Sequence, residues 1–502
     1  MPDYRDADAF GRQHAGGRPF CVWATLPADL LTPVAAFLKL RAAHLGAAFL
    51  LESVEGGAQR GRYSIIGVAP DLIWRATGGM AEIARDGAAF APEATSPLES
   101  LRLLVAESRI ELDPGLPPMA AGLFGYLGYD MVREMERLAP AKPSPVGEPD
   151  AILVRPETVV VFDSLKDEIA IVRTVRPQSA GAGAEAFETA RDSVEATIAH
   201  LDAPLTGTDA RIPGTAVMPA PASNLPPGAY EAMVARAKEY ILAGDIFQVV
   251  LSQRYEAPFP LPASQLYRAL RRLNPAPFLC FLDFERFQIV CSSPEILVRV
   301  RDGRVTVRPI AGTRPRGATP EADRHLADEL LADPKERAEH LMLLDLGRND
   351  VGRVATIGSV SVTDSFFVER YSHVMHIVSN VEGDLRPDRD ALDALAAGFP
   401  AGTVSGAPKV RAMEIIDELE PDGRGPYAGC IGYFGADGQM DSCIVLRTAI
   451  VKDGRMVVQA GAGIVHDSDP ASEAQECENK AKALFRAAAK ALRLATEPRR
   501  GQ

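Results

Sequence analysis

Cysteine is scarce, with six residues in 502 (Cys21, Cys280, Cys291, Cys430, Cys443 and Cys477) and no C-x-x-C pair. That is too sparse for a disulfide framework, so a reducing, cytoplasmic setting is expected. Long apolar runs are lacking as well. No stretch approaches the roughly 18 consecutive apolar residues of a membrane span, and the opening MPDYRDADAFGRQHAGG mixes acids and bases instead of carrying a signal peptide's apolar core. Positive charge is in deficit: 54 Lys plus Arg stand against 67 Asp plus Glu, a formal charge of −13, with no Lys/Arg-rich run. A chain of this kind lacks the electrostatic footprint for phosphate backbones, so neither nucleic acid nor membrane is expected as a partner. Any small anion must be captured by a local device.

What the chain does have is an ordinary globular composition, 47% hydrophobic and 24% charged. At about 150 residues per domain the length suggests two to three domains. Residues 203–227, APLTGTDARIPGTAVMPAPASNLPP, have neither helical nor strand periodicity and read as a linker between an N-terminal region, 1–202, and a second region, 228–497. Before it, residues 151–175 read as two paired strands and 187–201 as an amphipathic helix. After it, 230–245 reads as a helix ending at Gly244, followed by the strand GDIFQVVLSQRYEA. Further strands (FLCFLDF, FQIVCSS, EILVRVRDGRVTVRPI, GRMVVQAGAG) alternate irregularly with helices, including one expected to run through EADRHLADELLADPKERAEHLMLLDLGRND. The expected class is α+β, two β-sheets packed face to face as a sandwich with helices on the outside.

Two acidic spacings stand out on predicted helices: Glu336 and Glu339 in KERAEH, and Glu473 and Glu476 in SEAQECENK. Residues three apart share a helix face, so each pair can present two carboxylates to one point. Oxygen ligands of this hardness suit Mg²⁺, although E-x-x-E is also the pattern of any solvated helix face. In AGAGIVHDSDP, Gly461 and Gly463 let backbone N–H groups approach a ligand closely, but G-x-G-x-x-G is not completed. GTVSGAPK (402–409) is not a phosphate loop, and AGCIG around Cys430 falls short of a glutaminase nucleophile block. His373 and His376 alternate in strand fashion and point to opposite faces, which rejects a two-histidine metal site.

Taken in order, twelve segments resemble the chorismate-utilising enzymes, most closely the branch of aminating large subunits of anthranilate synthases. They are LLESVEGGAQRGRYSIIG, GLFGYLGYD, GDIFQVVLSQR, NPAPFLCFLDF, SSPEILV, PIAGTRPRG, KERAEHLMLLDLGRNDVGRVA, VMHIVSNVEG, FPAGTVSGAPKVRAMEIID, GPYAGCIGYF, MDSCIVLRTA and AGAGIVHDSDPASEAQECENKA. The resemblance implies Glu339 and Glu476 as principal Mg²⁺ ligands, with Glu336 and Glu473 beside them. It implies Arg447 and Tyr427 as holders of the enolpyruvyl carboxylate, the rest of the pocket coming from Gly312, Thr313, Thr403, Gly461, Gly463 and Lys480. Glu295 would be the general acid for the departing C4 hydroxyl, and His376 the base or orienting group for the later elimination.

Departures from sister families narrow the reaction. Water-adding relatives carry a lysine where this chain has Gln248, and many aminodeoxychorismate synthases carry a nucleophilic lysine where it has Ala311. Direct addition of ammonia is thus implied, supplied by a separate glutamine amidotransferase in a heterotetramer of two large and two small subunits. The branch also implies feedback by tryptophan at Glu52, Ser53, Pro277, Phe278, Leu279, Ile431, Tyr433, Asp441 and Cys443. The alternatives are an aminodeoxychorismate synthase component I and a non-catalytic tryptophan-sensing subunit.

Overall fold

The computed structural model describes residues 18–55, 59–177, 184–205, 218–371 and 374–496. His373 and residues 206–217 of the expected linker lie outside them. Within them the expected α+β class holds. Every strand pairing is antiparallel, and the ladders form one hydrogen-bonded network that turns a corner to give two layers.

The corner is built by two long strands, Gln59–Thr77 and Ala151–Asp163, which pair along their length with a register shift between Pro70 and Leu72. Ala69 beside the shift has φ +51°. Such a bulge bends the strand and raises its twist, which lets one strand serve two sheets. On one side of it Gln59–Thr77 pairs with Ala48–Glu55, on the other with Met80–Arg85. From there one ladder continues through Phe278–Asp283, Gln288–Ser293, Thr448–Lys452, Arg455–Ile464 and Gln248–Pro258. The other runs through Gly122–Leu127, Cys430–Gly435, Met440–Ile444, Ile296–Arg301, Arg304–Val307 and Val374–Asp384. Strands from before and after residues 203–227 share both ladders, and Ala222–Ser223 pairs with Tyr255 and Glu256.

Alternation at period two sorts side chains between layers. In Phe278–Asp283, Cys280 and Leu282 join the inter-sheet core with Phe49, Phe124 and Ile431. Leu279 and Phe281 instead face the helix layer with Phe37, Leu266 and Leu484. On the far side, Leu101, Leu344 and Leu392 from three helices cover the second ladder, while Val234 and Ile415 pack near Val249 and Leu251 at the end of the first. Helix, sheet, sheet and helix layers are therefore stacked in that order.

Local signals account for the helix ends. Ala229–Ala243 stops at Gly244 with φ +84°, as the sequence predicts, since the left-handed cap suits glycine. The long helix expected through residues 321–350 is instead two, Pro320–Ala332 and Pro334–Gly352, with Asp333 extended between them. Pro334 lacks the N–H that would continue the first helix and is pre-set for the first turn of the second. Asp333 caps that turn by accepting from the N–H groups of Lys335 and Glu336. The break aims Glu336 and Glu339 independently of the preceding helix. Among the described residues no helix is long and apolar enough to cross a membrane.

Candidate active site

Glu295 lies between the strands Gln288–Ser293 and Ile296–Arg301 and is only 7% exposed. Burial pushes its carboxyl up to about 8, although the Thr403 hydroxyl (Oγ1 to Oε1, 3.2 Å), a backbone hydrogen bond from Ile310 and the Arg447 charge all favour the ionised form. Desolvation wins because those partners do not replace the water that a carboxylate loses. At neutral pH the group holds its proton, as a general acid must. The turn Gly402–Val404, which follows the helix Ala391–Gly398, carries Thr403 to it.

His376 sits on the strand Val374–Asp384 opposite Ile310–Pro315, whose register shifts between Ala311 and Arg314. Gly312 and Thr313 fill the shift, and Gly312 has φ +67°, a conformation that glycine takes without strain. Its carbonyl accepts from His376 Nδ1 at 2.8 Å, and Thr313 Oγ1 lies 3.1 Å from the same nitrogen. With Nδ1 donating, Nε2 is left as the acceptor. Burial holds the imidazole down to about 4, so the ring is neutral at pH 7. The Tyr371 ring packs edge-on against it at 5.5 Å, a neighbour that no sequence pattern announced.

Arg447 adopts φ +48°, which is uncommon for a residue with a side chain and marks a position held by its surroundings. Its guanidinium is pulled below its ordinary range by burial, against the charges of Tyr371 and Glu295. No described residue hydrogen-bonds it, so an arginine fork stands ready for an anion. Tyr427 is buried, and its hydroxyl would lie 2.8 Å from a methyl group at Gly461. A methyl group at Gly463 would lie 2.5 Å from Gln248 Nε2, and the buried Gln248 Oε1 has no hydrogen-bond partner among the described residues. Lys480 donates to the Gly461 carbonyl at 2.9 Å and pairs with Glu476 at 2.6 Å.

Beneath Tyr427 lies a buried ion pair that sequence reading missed. Arg424 binds Glu420 through two bonds (2.9 and 2.6 Å) and donates to the carbonyls of Val404 and Val250, tying the Thr403 turn to the sheet. Glu420 also accepts from the N–H and hydroxyl of Ser252. Glu420→Ala would strand a buried guanidinium. We expect a stability loss of about 3–5 kcal/mol in denaturant unfolding; a loss under about 1 kcal/mol would mean that the pair does not brace the site.

The four glutamates come together as two helix faces. Glu336 and Glu339 lie on Pro334–Gly352, Glu473 and Glu476 on Pro470–Thr496. Burial raises the Glu339 carboxyl, and the charges of Glu336 and Glu476 raise it further. Glu473 is raised for the same reasons, by burial and then by Glu476, against a hydrogen bond from Ser468. Glu336 is bridged to Arg314 at 3.1 Å. The repulsion across the helices is what a divalent cation would relieve. The carboxylates do not close to contact: among the described residues the trio whose ligand atoms lie within 4.8 Å of one another is Cys280, Cys291 and Cys443. An ion that keeps several waters fits a cluster of that openness.

A separate cavity of about 610 Å³ opens between the sheets. Glu52, Ser53, Pro277, Phe278, Ile431, Tyr433, Asp441 and Cys443 line it, as expected. Leu279 does not, because strand alternation turns it to the helix layer. Sequence reading missed Cys280 and the arginines Arg62, Arg299, Arg301 and Arg308. Glu52 is bound by Arg271 at 2.7 Å and by the Tyr267 hydroxyl. Asp441 is held by Arg299 and Arg301, yet its buried Oδ1 has no hydrogen-bond partner among the described residues.

A family model described as chorismate binding enzyme matches residues 48–486. The anthranilate synthase component 1 of Cereibacter sphaeroides is 56% identical over 486 residues, covering 96% of this chain and 97% of its own. That of Thermus thermophilus is 49% identical over 465 residues, 92% of this chain and 96% of its own. Among solved structures, anthranilate synthase component I from Streptococcus pneumoniae TIGR4 superposes with a TM-score of 0.76 at 37% identity, over 92% of this chain and 99% of that one. The menaquinone-specific isochorismate synthase MenF of Escherichia coli shares the fold, with a TM-score of 0.70 at 19% identity over 94% of this chain and 95% of that one. With most of its length matched by both sequence and structure, the chain belongs to the chorismate binding enzymes, in the group formed by anthranilate synthase component 1.

Proposed function

We propose that the chain is the aminating subunit of an anthranilate synthase, a carbon–oxygen lyase that converts chorismate and ammonia into anthranilate, pyruvate and water at the first step of tryptophan biosynthesis. The observation that carries this reading is a buried carboxylic acid, Glu295, held to the Thr403 hydroxyl and within electrostatic reach of Arg447, a buried arginine that no described residue hydrogen-bonds and that also faces the neutral His376. In this reading Glu295 gives its proton to the C4 hydroxyl as the C4–O bond breaks and water leaves, while ammonia bonds to C2, both ring double bonds shift by one position, and the new ammonium loses a proton. Aminodeoxyisochorismate results. Loss of the C2 proton and cleavage of the ring–enolpyruvyl bond then release pyruvate and leave the aromatic ring.

The remaining side chains have consistent roles. Arg447 and Tyr427 hold the enolpyruvyl carboxylate, and Gly461 and Gly463 let the substrate approach the backbone. The free Gln248 Oε1 can accept from an incoming amine but cannot activate water as a base would. Low basicity suits His376 Nε2 better to accepting a hydrogen bond and orienting the substrate than to abstracting a proton unaided. Glu339 and Glu476, with Glu336 and Glu473, are the residues that would hold Mg²⁺. When bound, the ion supplies charge neutralisation at the ring carboxylate.

Ammonia comes in this reading from a separate glutamine amidotransferase, in a cytoplasmic heterotetramer of two large and two small subunits. With chorismate, Mg²⁺ and an ammonium salt the purified chain should generate anthranilate fluorescence, while glutamine in place of ammonium should give none until the amidotransferase is added. Turnover of glutamine by the chain alone would overturn this division of labour.

Tryptophan is the proposed occupant of the inter-sheet cavity, its indole on Phe278 and Ile431 and its ammonium near the free Asp441 Oδ1. Ser53 lines this cavity, with its hydroxyl donating to the Tyr63 carbonyl at 3.0 Å. Ser53→Phe fills the slot, and we expect inhibition to weaken at least about tenfold, the equivalent of about 1.4 kcal/mol, with little change in maximal rate. An unchanged inhibition curve would remove tryptophan from this cavity.

A further inference from the structure

A second set of ligand atoms lies in the inter-sheet core, away from the glutamate cluster. Cys280 and Cys291 are direct cross-strand partners in the first ladder. Cys443 belongs to the second ladder, where it pairs with Ile431 and Ile296. Their sulfurs converge across the layer to within 4.8 Å of one another. All three are buried, Cys291 completely, and none is in a disulfide. No other trio of His, Cys, Asp or Glu ligand atoms converges in this way among the described residues.

The site also has a way in. Cys280 and Cys443 form part of the wall of the 610 Å³ cavity, whose lining carries four arginines (Arg62, Arg299, Arg301, Arg308) against three carboxylates (Glu52, Glu369, Asp441). An ion entering from the cavity would meet sulfur ligands before reaching the apolar core beyond them. Cys291 already interacts through its sulfur with Cys280 and Cys443, with Thr448 and the Ser293 backbone close by, and its contact to the Leu446 carbonyl is long, 3.7 Å.

Ligand type and number decide what could bind. Sulfur is soft, which disfavours Mg²⁺ and Ca²⁺. Structural zinc takes four protein ligands, and only three are present. Three sulfurs without a fourth ligand suit a soft cation that accepts trigonal coordination, of which Cu⁺ is the biological representative. We propose that Cys280, Cys291 and Cys443 form a three-sulfur site for Cu⁺. Two of the thiols ligate as thiolates and release their protons to solvent, while the third ligates as the thiol. The copper stays in the +1 state and no electron is transferred. The cluster then carries a charge of −1, which the surplus arginine of the cavity lining offsets.

The test is an anaerobic titration of the reduced, full-length chain with Cu⁺ in competition with bicinchoninate, followed by X-ray absorption at the copper edge. One Cu⁺ per chain should be withdrawn from the chelator, with three sulfur neighbours at about 2.3 Å. Affinity should fall about 100-fold or more in Cys291→Ser and Cys443→Ser and be unchanged in Cys21→Ser, Cys430→Ser and Glu339→Ala. A nitrogen or oxygen shell, fewer than three sulfurs, no withdrawal from the chelator, or the same affinity in Cys291→Ser would each overturn the proposal. Should the serine variants fail to fold by circular dichroism, the sulfur count in the unaltered chain decides alone. None of these readouts depends on chorismate turnover or on what else occupies the cavity.

Discussion

Replacing Glu295 with glutamine should lower turnover by about 10²–10⁴-fold, the usual contribution of a general acid, while KM for chorismate moves little. Glutamine matches the carboxyl in shape and can still accept from Thr403, but it has no proton to give. The loss should therefore fall on kcat. The same residue sets a pH signature. Burial pushes its carboxyl up to about 8, and the protonated form is the active one, so kcat/KM should fall as pH rises through about 8. The folded-state value lies above the ordinary one, so this group's contribution to stability is present at low pH and lost between about 4.5 and 8 as the unfolded chain ionises first. His376, held down to about 4, adds no limb to the profile near neutrality. Initial rates from pH 6 to 9 would check this: a wild-type profile flat through 9 would mean that no acid titrates there, and full activity in Glu295→Gln would remove the residue from the chemistry.

Glu339→Ala should lower Mg²⁺-dependent turnover by about 10²-fold or more, since charge neutralisation by a bound metal is worth several kcal/mol. The fold should survive, and the electrostatics give the sign of the control. Without metal, Glu339 is held in its raised state by burial and by the like charges of Glu336 and Glu476. Removing one of these charges relieves repulsion, so the variant's melting temperature in chelator should equal or exceed that of the unaltered chain. Added Mg²⁺ should raise the unaltered chain's melting temperature, because a ligand bound only by the folded state stabilises it, and should raise the variant's less. Rates and melting curves with and without Mg²⁺ measure both. Normal Mg²⁺-dependent activity in the variant would take the metal away from this cluster.

The acidic pairs were legible because helix geometry alone puts residues three apart on one face. The role of Glu295 came with the family resemblance, but its physical basis needed the fold. Nothing in SSPEILV announces burial, and its raised carboxyl exists only once two ladders close around it. The cavity was legible block by block, yet reading Pro277, Phe278 and Leu279 as a run ignored the strand period that turns Leu279 outward and Cys280 inward. Applying that period to FLCFLDF would have found Cys280 from sequence. The meeting of Cys280 with Cys443 could not have been found that way, because it depends on how one ladder folds over the other. Long-range pairing also hid the Arg424–Glu420 brace, whose i, i+4 spacing across a helix end resembles any surface pair. The split at Asp333 was in plain sight, since Pro334 cannot continue a helix.

The central claim is that this chain aminates chorismate at C2 and carries the product through to an aromatic acid. Product identification by mass spectrometry after incubation with chorismate, Mg²⁺ and ¹⁵N-ammonium tests it most directly. The account predicts anthranilate carrying one ¹⁵N, formed in equal amount with pyruvate. Accumulation of labelled 4-amino-4-deoxychorismate without pyruvate, or of unlabelled isochorismate or salicylate, would contradict it.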